Sequence, residues 1–178
     1  MMKSEGFMKT NTIRIFLLWA FLVLVYRNNI IALESDTNQR VIWTSDGGST
    51  MDIVGDSRIL EMNTNVIVTQ GTLEIRGAKA IFEYQTSSNE LTKITVHGTP
   101  VHYKQQLDGS GAVVNGTSNT LLFYTNDINE TVLELLENAN LESPDSAISC
   151  KSIVYIVERD LIKEALGPCA GALTSASN

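Results

Sequence analysis

The fold is decided by one stretch of the chain, VIVTQGTLEIR at residues 66–76. It begins with four β-branched residues, continues through the turn signal Gln70-Gly71, and ends in alternating apolar and polar residues from Leu73 to Arg76. β-Branched residues favour strands, and glycine adopts the backbone conformations that tight turns need. The stretch therefore predicts two antiparallel strands joined by a short turn.

The same pattern extends over most of the chain after about residue 41. Segments such as 94–96 and 153–157 are rich in β-branched and aromatic residues. Turn signals separate the segments: Asp46-Gly47-Gly48, Ser87-Ser88-Asn89, Asp108-Gly109-Ser110-Gly111 and Ser143-Pro144-Asp145. Many short strands with regular turns predict an all-β protein. The composition of Thr131–Asn140 favours a helix, but its place in the repeat described next predicts a strand.

Three segments repeat the order strand, turn, strand and aromatic residue. Their aromatic residues are Phe82, Phe123 and Tyr155, and the spacing varies because the turns differ in length. A stack of such β-units buries a continuous apolar interior along one axis. The sequence therefore predicts an elongated interior that could hold a long ligand.

The first 32 residues differ from the rest of the chain. Basic residues precede an apolar run at residues 15–26, which would span only about 18 Å as a helix, against roughly 30 Å of hydrocarbon in a bilayer. We therefore predict a signal peptide at residues 1–32, and an exported protein. An uncleaved membrane anchor is the alternative, because Arg27 follows the apolar run directly. The start codon is also open, since Met1, Met2 and Met8 could each begin this signal.

The remaining boundaries follow from composition. We predict one β-domain at residues 33–166, and a disordered tail at residues 167–178 because that segment is small and polar. The formal net charge is −7 and no basic stripe is visible, which argues against a nucleic-acid-binding protein.

Residues suited to catalysis are scarce. The two histidines, His97 and His102, flank Gly98-Thr99-Pro100, which predicts a turn, and no acidic or cysteine partner stands at a metal-ligand spacing from them. The sequence contains no nucleophile elbow, zinc-protease motif or phosphate-binding glycine loop. We therefore predict no enzymatic activity, no metal and no cofactor.

The two cysteines, Cys150 and Cys169, lie close to the C-terminus. If Arg159-Asp160 forms a two-residue hairpin turn, they stand opposite each other and could form a disulfide in an oxidising compartment. The alternative is two separate thiols, because Gly167-Pro168 could end the strand before Cys169.

Several motifs together resemble the OstA/LptA family. The segment NVIVTQGT at residues 65–72, followed by LEI, resembles the family's signature strand pair. Residues 44–46 resemble its Glu-Ser-Asp step, residues 98–100 its Gly-Lys-Pro step, and residues 138–141 its Gly-Asn-Ala-x-Leu step. The similarity covers roughly residues 39–166, which is most of the predicted mature chain.

The resemblance implies a fold and a function. The expected fold is a bent, open β-jellyroll, and the expected function is transport of lipopolysaccharide across the periplasm, with lipid A acyl chains in the interior. Family members stack head to tail and connect an LptC-like inner-membrane protein to an LptD-like outer-membrane protein. Such contacts would use edge strands, for which the candidates are Val41–Thr44 and Leu161–Leu166.

The resemblance also implies which residues bind lipid. The family's interior ligand-contacting positions fall on Thr37, Val41, Tyr103, Phe123 and Thr125. Phe82 and Tyr155 occupy the equivalent place in the flanking repeats, and Leu73 and Ile75 line the strand beside them. Two other functions stay open. One is an LptC-like component that retains an N-terminal membrane anchor, and the other is a structural β-repeat protein without lipid cargo, whose interior would be closed by side chains.

Overall fold

The computed structural model describes residue 36, residues 38–107 and residues 111–174 of the 178-residue chain. In this part of the chain, ten strands form one antiparallel sheet, which confirms the all-β prediction. The strands are β1 (Ile42–Thr44), β2 (Ser49–Val54), β3 (Ser57–Gln70), β4 (Leu73–Gln85), β5 (Leu91–Gln106), β6 (Val113–Thr125), β7 (Thr131–Ser143), β8 (Ser146–Ile156), β9 (Leu161–Leu166) and β10 (Ala170–Leu173).

No helix among these residues is long and apolar enough to cross a membrane. The predicted signal peptide at residues 1–32 lies outside the described residues.

The sheet is a meander whose two edges are each built from two short strands. Strands β3 to β8 pair with one another in chain order. At one edge, β1 and β2 both pair with β3, along different parts of its length. At the other edge, β9 and β10 share β8 in the same way. We call these the N-terminal edge and the C-terminal edge.

A row of irregularities crosses the middle of the sheet. The register shifts lie between Asn63 and Val66 in β3, Arg76 and Lys79 in β4, His97 and Val101 in β5, Thr117 and Thr120 in β6, and Leu136 and Ala139 in β7. Bulges of this kind bend a strand, and a row of them bends the whole sheet.

The bend divides the sheet into two walls. Wall A contains β2, β9 and residues 57–63, 79–85, 91–97, 120–125, 131–136 and 152–156. Wall B contains β1, β10 and residues 66–70, 73–77, 101–106, 113–118, 139–143 and 146–150.

The core lies between the two walls. Phe82 and Leu135 of wall A and Ile75 of wall B are fully buried, although the described residues form a single sheet. The walls therefore cover each other. At Gly116 of wall B they come so close that an added Cβ would lie 3.1 Å from the Leu135 Cδ1 atom. The outer face carries ion pairs such as Lys79–Glu61, which suits a surface in contact with water.

The local predictions had mixed outcomes. Thr131–Asn140 lies within β7 and is a strand despite its helix-favouring composition, because it pairs with neighbours on both sides. Gly98-Thr99-Pro100 does not form a turn between strands. It lies inside β5, at the register shift between His97 and Val101. A proline, which lacks an N–H group, is tolerated at such a bulge.

The hairpin before the C-terminal edge also differs from the prediction. Val157–Arg159 forms a 3-10 turn and Asp160 has a left-handed backbone with φ 46°, so Ile156 pairs with Leu161. The predicted two-residue turn at Arg159-Asp160 is therefore wrong. The pairing of β8 with β9 then shifts by one residue between Val154 and Tyr155. It shifts by one more residue where β10 replaces β9 as the partner of β8.

These two shifts place Cys169 opposite Cys150, and the two residues form a disulfide with a Cα–Cα distance of 4.2 Å. The prediction of a disordered tail at residues 167–178 is wrong for Ala170–Leu173, which form β10. Small residues give no sequence signal of a strand, but here β8 supplies the backbone partners.

Candidate functional site

A cavity of about 240 Å³ opens where the free ends of the two walls meet. It lies at the hairpin ends of the strands, away from the bend. Its apolar lining consists of Val41, Leu73, Leu91, Ile94 and Phe123, and its polar lining of Asp36, Gln70, Thr92, Lys93, Gln105, Tyr124, Thr125 and Thr131. We call this region the mouth.

The residues predicted to bind lipid fall into two groups. Val41, Leu73, Phe123 and Thr125 line the mouth. The other group consists of Ile75, Phe82, Tyr103 and Tyr155, which are all at most 2% exposed within the packed interior. We call this second region the sealed core. Thr37 lies outside the described residues.

Sequence reasoning missed the polar cluster that closes one side of the mouth. Asp36 is buried, and its carboxylate accepts hydrogen bonds from the Thr72 backbone N–H at 2.9 Å and the Thr72 hydroxyl at 2.5 Å. It also accepts one from Gln105 Nε2 at 3.1 Å, and Gln105 Oε1 accepts one from the Tyr103 hydroxyl at 2.6 Å. A buried carboxylate requires such partners.

The turn at Gly71 is shaped around Asp36. Gly71 has φ +60°, and a Cβ placed there would lie 2.0 Å from the Asp36 Oδ1 atom. Only glycine fits both the backbone conformation and the space. The glycine was visible in the sequence as a turn signal, but its second role depends on a residue 35 positions earlier and left no local signal.

The two tyrosines of the sealed core are held in their neutral form. Burial, followed by the negative charge of Asp36, raises the pKa of Tyr103. Burial, followed by a hydrogen bond to Asp160, raises the pKa of Tyr155. Since both hydroxyls donate to protein acceptors, Gln105 and Asp160 respectively, the side chains contribute mainly their rings to the interior.

The apolar inner face continues to both edges of the sheet. Cross-strand partners share a face, so Trp43 and Met51 face inward because they pair with the buried residues Val68 and Leu60. Both are exposed, since no further strand follows. At the C-terminal edge, Ile162 faces inward as the partner of buried Tyr155.

The described residues contain no group of His, Cys, Asp and Glu side chains that could hold a metal ion. The two histidines lie on opposite sides of the bend, His97 in wall A and His102 in wall B. Nδ1 of His97 lies 3.1 Å from the Thr120 hydroxyl oxygen.

Comparisons with known proteins give a consistent result. The family model described as LptA/(LptD N-terminal domain) LPS transport protein matches residues 49–160. The lipopolysaccharide export system protein LptA of Escherichia coli strain K12 is 29% identical over 150 residues, which cover 84% of this chain and 77% of that protein, and the LptA of Shigella flexneri gives the same values.

Among solved structures, this chain is similar to LptH of Pseudomonas aeruginosa, described as the LptA homologous periplasmic component of the conserved lipopolysaccharide transport device. The TM-score is 0.64 at 16% identity, with 79% of this chain and 99% of that chain covered. At this identity the likeness shows a shared fold.

Proposed function

Since this chain belongs to the LptA/(LptD N-terminal domain) family of lipopolysaccharide transport proteins, we propose that it carries lipopolysaccharide through the periplasm between the two membranes. The periplasmic description of LptH and the export role of LptA support this location and this cargo. Transport of this kind is a non-enzymatic role, and energy for it would come from another protein.

The observation that carries the proposal is the course of the apolar inner face. It extends from exposed Trp43 and Met51 at one edge, through the core, to Ile162 at the other edge. Each CH₂ group of an acyl chain costs about 0.8 kcal/mol in water, so a chain of about a dozen carbons would cost roughly 10 kcal/mol. An apolar face that continues across the whole sheet removes this cost along the route.

The mouth is the place where acyl chains would first meet the protein. Its volume of about 240 Å³ is below the roughly 300–1,000 Å³ of typical ligand pockets, so uptake requires the walls to separate there. We propose that Val41, Leu73, Phe123 and Thr125 contact lipid first. As the walls separate further, the sealed-core residues Ile75, Phe82, Tyr103 and Tyr155 would become accessible. Thr37 stays a candidate from the family resemblance.

The topology supports head-to-tail stacking of copies. Eight antiparallel strands lie on the path from β1 to β10, so the first and the last strand run in opposite directions. A second copy placed in the same orientation at the C-terminal edge would therefore continue the antiparallel alternation. We propose that LptC-like and LptD-like proteins use the same two edges. Val41–Thr44 and Leu161–Leu166 correspond to β1 and β9, and β2 and β10 complete the two edges.

Photo-crosslinking in cells tests the cargo. A photoreactive residue in place of Phe123 should label lipopolysaccharide, because that side chain lines the mouth. The matched control is the same residue in place of Glu74, whose side chain lies on the outer face of β4 and pairs with Arg76. Equal labelling at the two positions would contradict the carrier function. It would favour a structural β-repeat protein, for which a packed interior is expected.

N-terminal sequencing of the exported protein tests the leader. We propose cleavage of the signal peptide near Ala32, so the mature protein should begin close to that residue. A protein that retains residues 1–32 would instead be an LptC-like anchored component.

A further inference from the structure

The last strand of the sheet is held in an unusual way. Strand β10, Ala170–Leu173, pairs with residues 146–149 of β8 directly after Cys169, which is bonded to Cys150. Its four residues are exposed, and three of them are Ala, Gly and Ala. Besides the backbone pairing and the disulfide, the Thr174 N–H donates a hydrogen bond to the Asp145 carbonyl oxygen at 2.9 Å.

Backbone pairing alone would hold such a strand weakly. Fixing four residues costs conformational entropy of the same order as the net stabilisation from their hydrogen bonds. Exposed small side chains add little apolar burial to offset that cost. A covalent bond one residue before the strand holds the segment beside β8 and so lowers the entropy cost of bringing the two strands together. The disulfide therefore keeps β10 on the sheet.

The presence of β10 determines the shape of the C-terminal edge. At the N-terminal edge, β2 contributes six residues in wall A and β1 three in wall B. At the C-terminal edge, β9 contributes six residues in wall A and β10 four in wall B. Without β10, wall B would end one strand earlier than wall A. With β10, the two edges have matching layouts.

We propose that the Cys150–Cys169 disulfide completes the C-terminal edge as a docking site for the β1–β2 edge of a second copy of this chain. This inference rests on the proposed head-to-tail stacking. The backbone directions fit such a contact, because β10 and the β1 strand of a second copy in the same orientation run antiparallel. Apolar side chains also face inward at both edges, Trp43 and Met51 at the N-terminal edge, and Ile162 and Leu173 at the C-terminal edge.

The bond forms by thiol–disulfide exchange. The thiols of Cys150 and Cys169 lose two protons and two electrons as the S–S bond forms, and a thiol–disulfide oxidase accepts them as its own disulfide becomes two thiols. Cys169 is exposed beside an open depression lined by Lys151 and Pro168, so an exchange partner can reach its sulfur. Dithiothreitol reverses the step, because its two thiols supply the electrons and protons and it closes to a cyclic disulfide.

Sedimentation velocity and hydrogen exchange on the purified exported protein test the inference. Oxidised and dithiothreitol-reduced protein are compared, together with the double variant Cys150→Ser/Cys169→Ser. We expect reduction to raise the Kd of self-association at least about tenfold, roughly 1.4 kcal/mol. Amides at residues 170–174 should lose protection while those of β9 keep it, which shows that the remaining fold is intact. Re-oxidation should restore both.

Two truncated chains separate the strand from the bond. A chain ending at Cys169 keeps the disulfide but lacks β10, and it should associate as weakly as the reduced protein. The control ends at Ser175, keeps β10, and should associate like the full chain. An unchanged Kd after reduction would overturn the inference and leave head-to-tail stacking intact. If the oxidised protein does not associate at all, head-to-tail stacking itself is contradicted. The docking role of the disulfide is then contradicted too, because it rests on stacking.

Discussion

The mouth and the sealed core are parts of one interior, and they differ in what fills them. In the sealed core, Phe82 and Tyr155 belong to the buried hydrophobic cluster and leave almost no surface exposed. At the mouth, Phe123 and Thr125 line a cavity together with polar groups such as Lys93. The same alternating pattern thus produces stability in one region and accessible apolar surface in the other. The difference lies in position across the sheet and not along the strands, since Ile94 pairs with both Phe82 and Phe123 and the three residues stand in one row.

The largest effect should come from removing an aromatic ring in each region. We expect Phe82→Ala to lower the free energy of unfolding by about 3–5 kcal/mol, because it leaves a cavity among packed side chains. Phe123→Ala should cost roughly half of that or less, because its ring already borders open space. Urea unfolding followed by circular dichroism measures both. Equal losses would show that the mouth is packed like the core.

A smaller effect should follow from disturbing the polar cluster between the two regions. Gly71→Ala places alanine in a left-handed backbone conformation, which should lower the free energy of unfolding by about 1–2 kcal/mol. The added methyl group would also displace the Asp36 carboxylate. Asp36→Ala should cost about 1–3 kcal/mol, because the Thr72 N–H and Gln105 lose their acceptor.

Gly55→Ala is the matched control for the backbone term, since Gly55 also has a left-handed φ of +59° but nothing within 4 Å of an added Cβ. If Asp36 shapes the mouth, Gly71→Ala should destabilise the protein more than Gly55→Ala. If urea unfolding gives the same loss of free energy of unfolding for both variants, contact with Asp36 does not explain the need for glycine at position 71.

The smallest effect concerns the tyrosines. A hydrogen bond to Glu134, followed by burial, raises the pKa of Tyr124 at the mouth to about 12, against an ordinary value of 10.0. Between these values the folded protein keeps a proton that the unfolded chain loses, so stability should fall as pH rises from about 10 to about 12.

Tyr124→Phe should make this fall shallower, measured by urea unfolding across that range. By ultraviolet absorbance, Tyr124 should ionise in the folded protein, whereas Tyr103 and Tyr155 should ionise only on unfolding. Ionisation of all three tyrosines in one step would contradict the distinction between mouth and core.

Much of the fold could be read from the sequence, because alternation and turn residues are local signals. The turn at Gly71-Thr72 lies one residue after the predicted Gln70-Gly71 signal, and it follows from neighbours in the chain. The strand across Thr131–Asn140 follows from the repeat. The bend could not be read in this way. Gly98-Thr99-Pro100 has the composition of a turn, and only pairing on both sides of it shows that β5 continues.

The candidate site was partly predictable for the same reason. The aromatic position of each repeat identified interior residues, but not which of them lie at the mouth, since Phe82 and Phe123 have equivalent local sequence. Asp36 was missed because its partners, Thr72 and Gln105, are far along the chain. Strand β10 was missed because its stability comes from Cys150 and β8 rather than from its own residues.

The row of bulges gives the molecule a direction-dependent stiffness. In the described part of the chain, every register pair joins two residues of the same wall, so no ladder bond of the sheet links wall A to wall B. A pull across the strands, from one edge of the sheet to the other, therefore strains the hydrogen-bond ladder. Spreading the walls instead strains the side-chain contacts between them and the backbone at the row of bulges. A filament of such units would resist tension along its length, and its cross-section could still widen locally where a transported lipid lies between the walls.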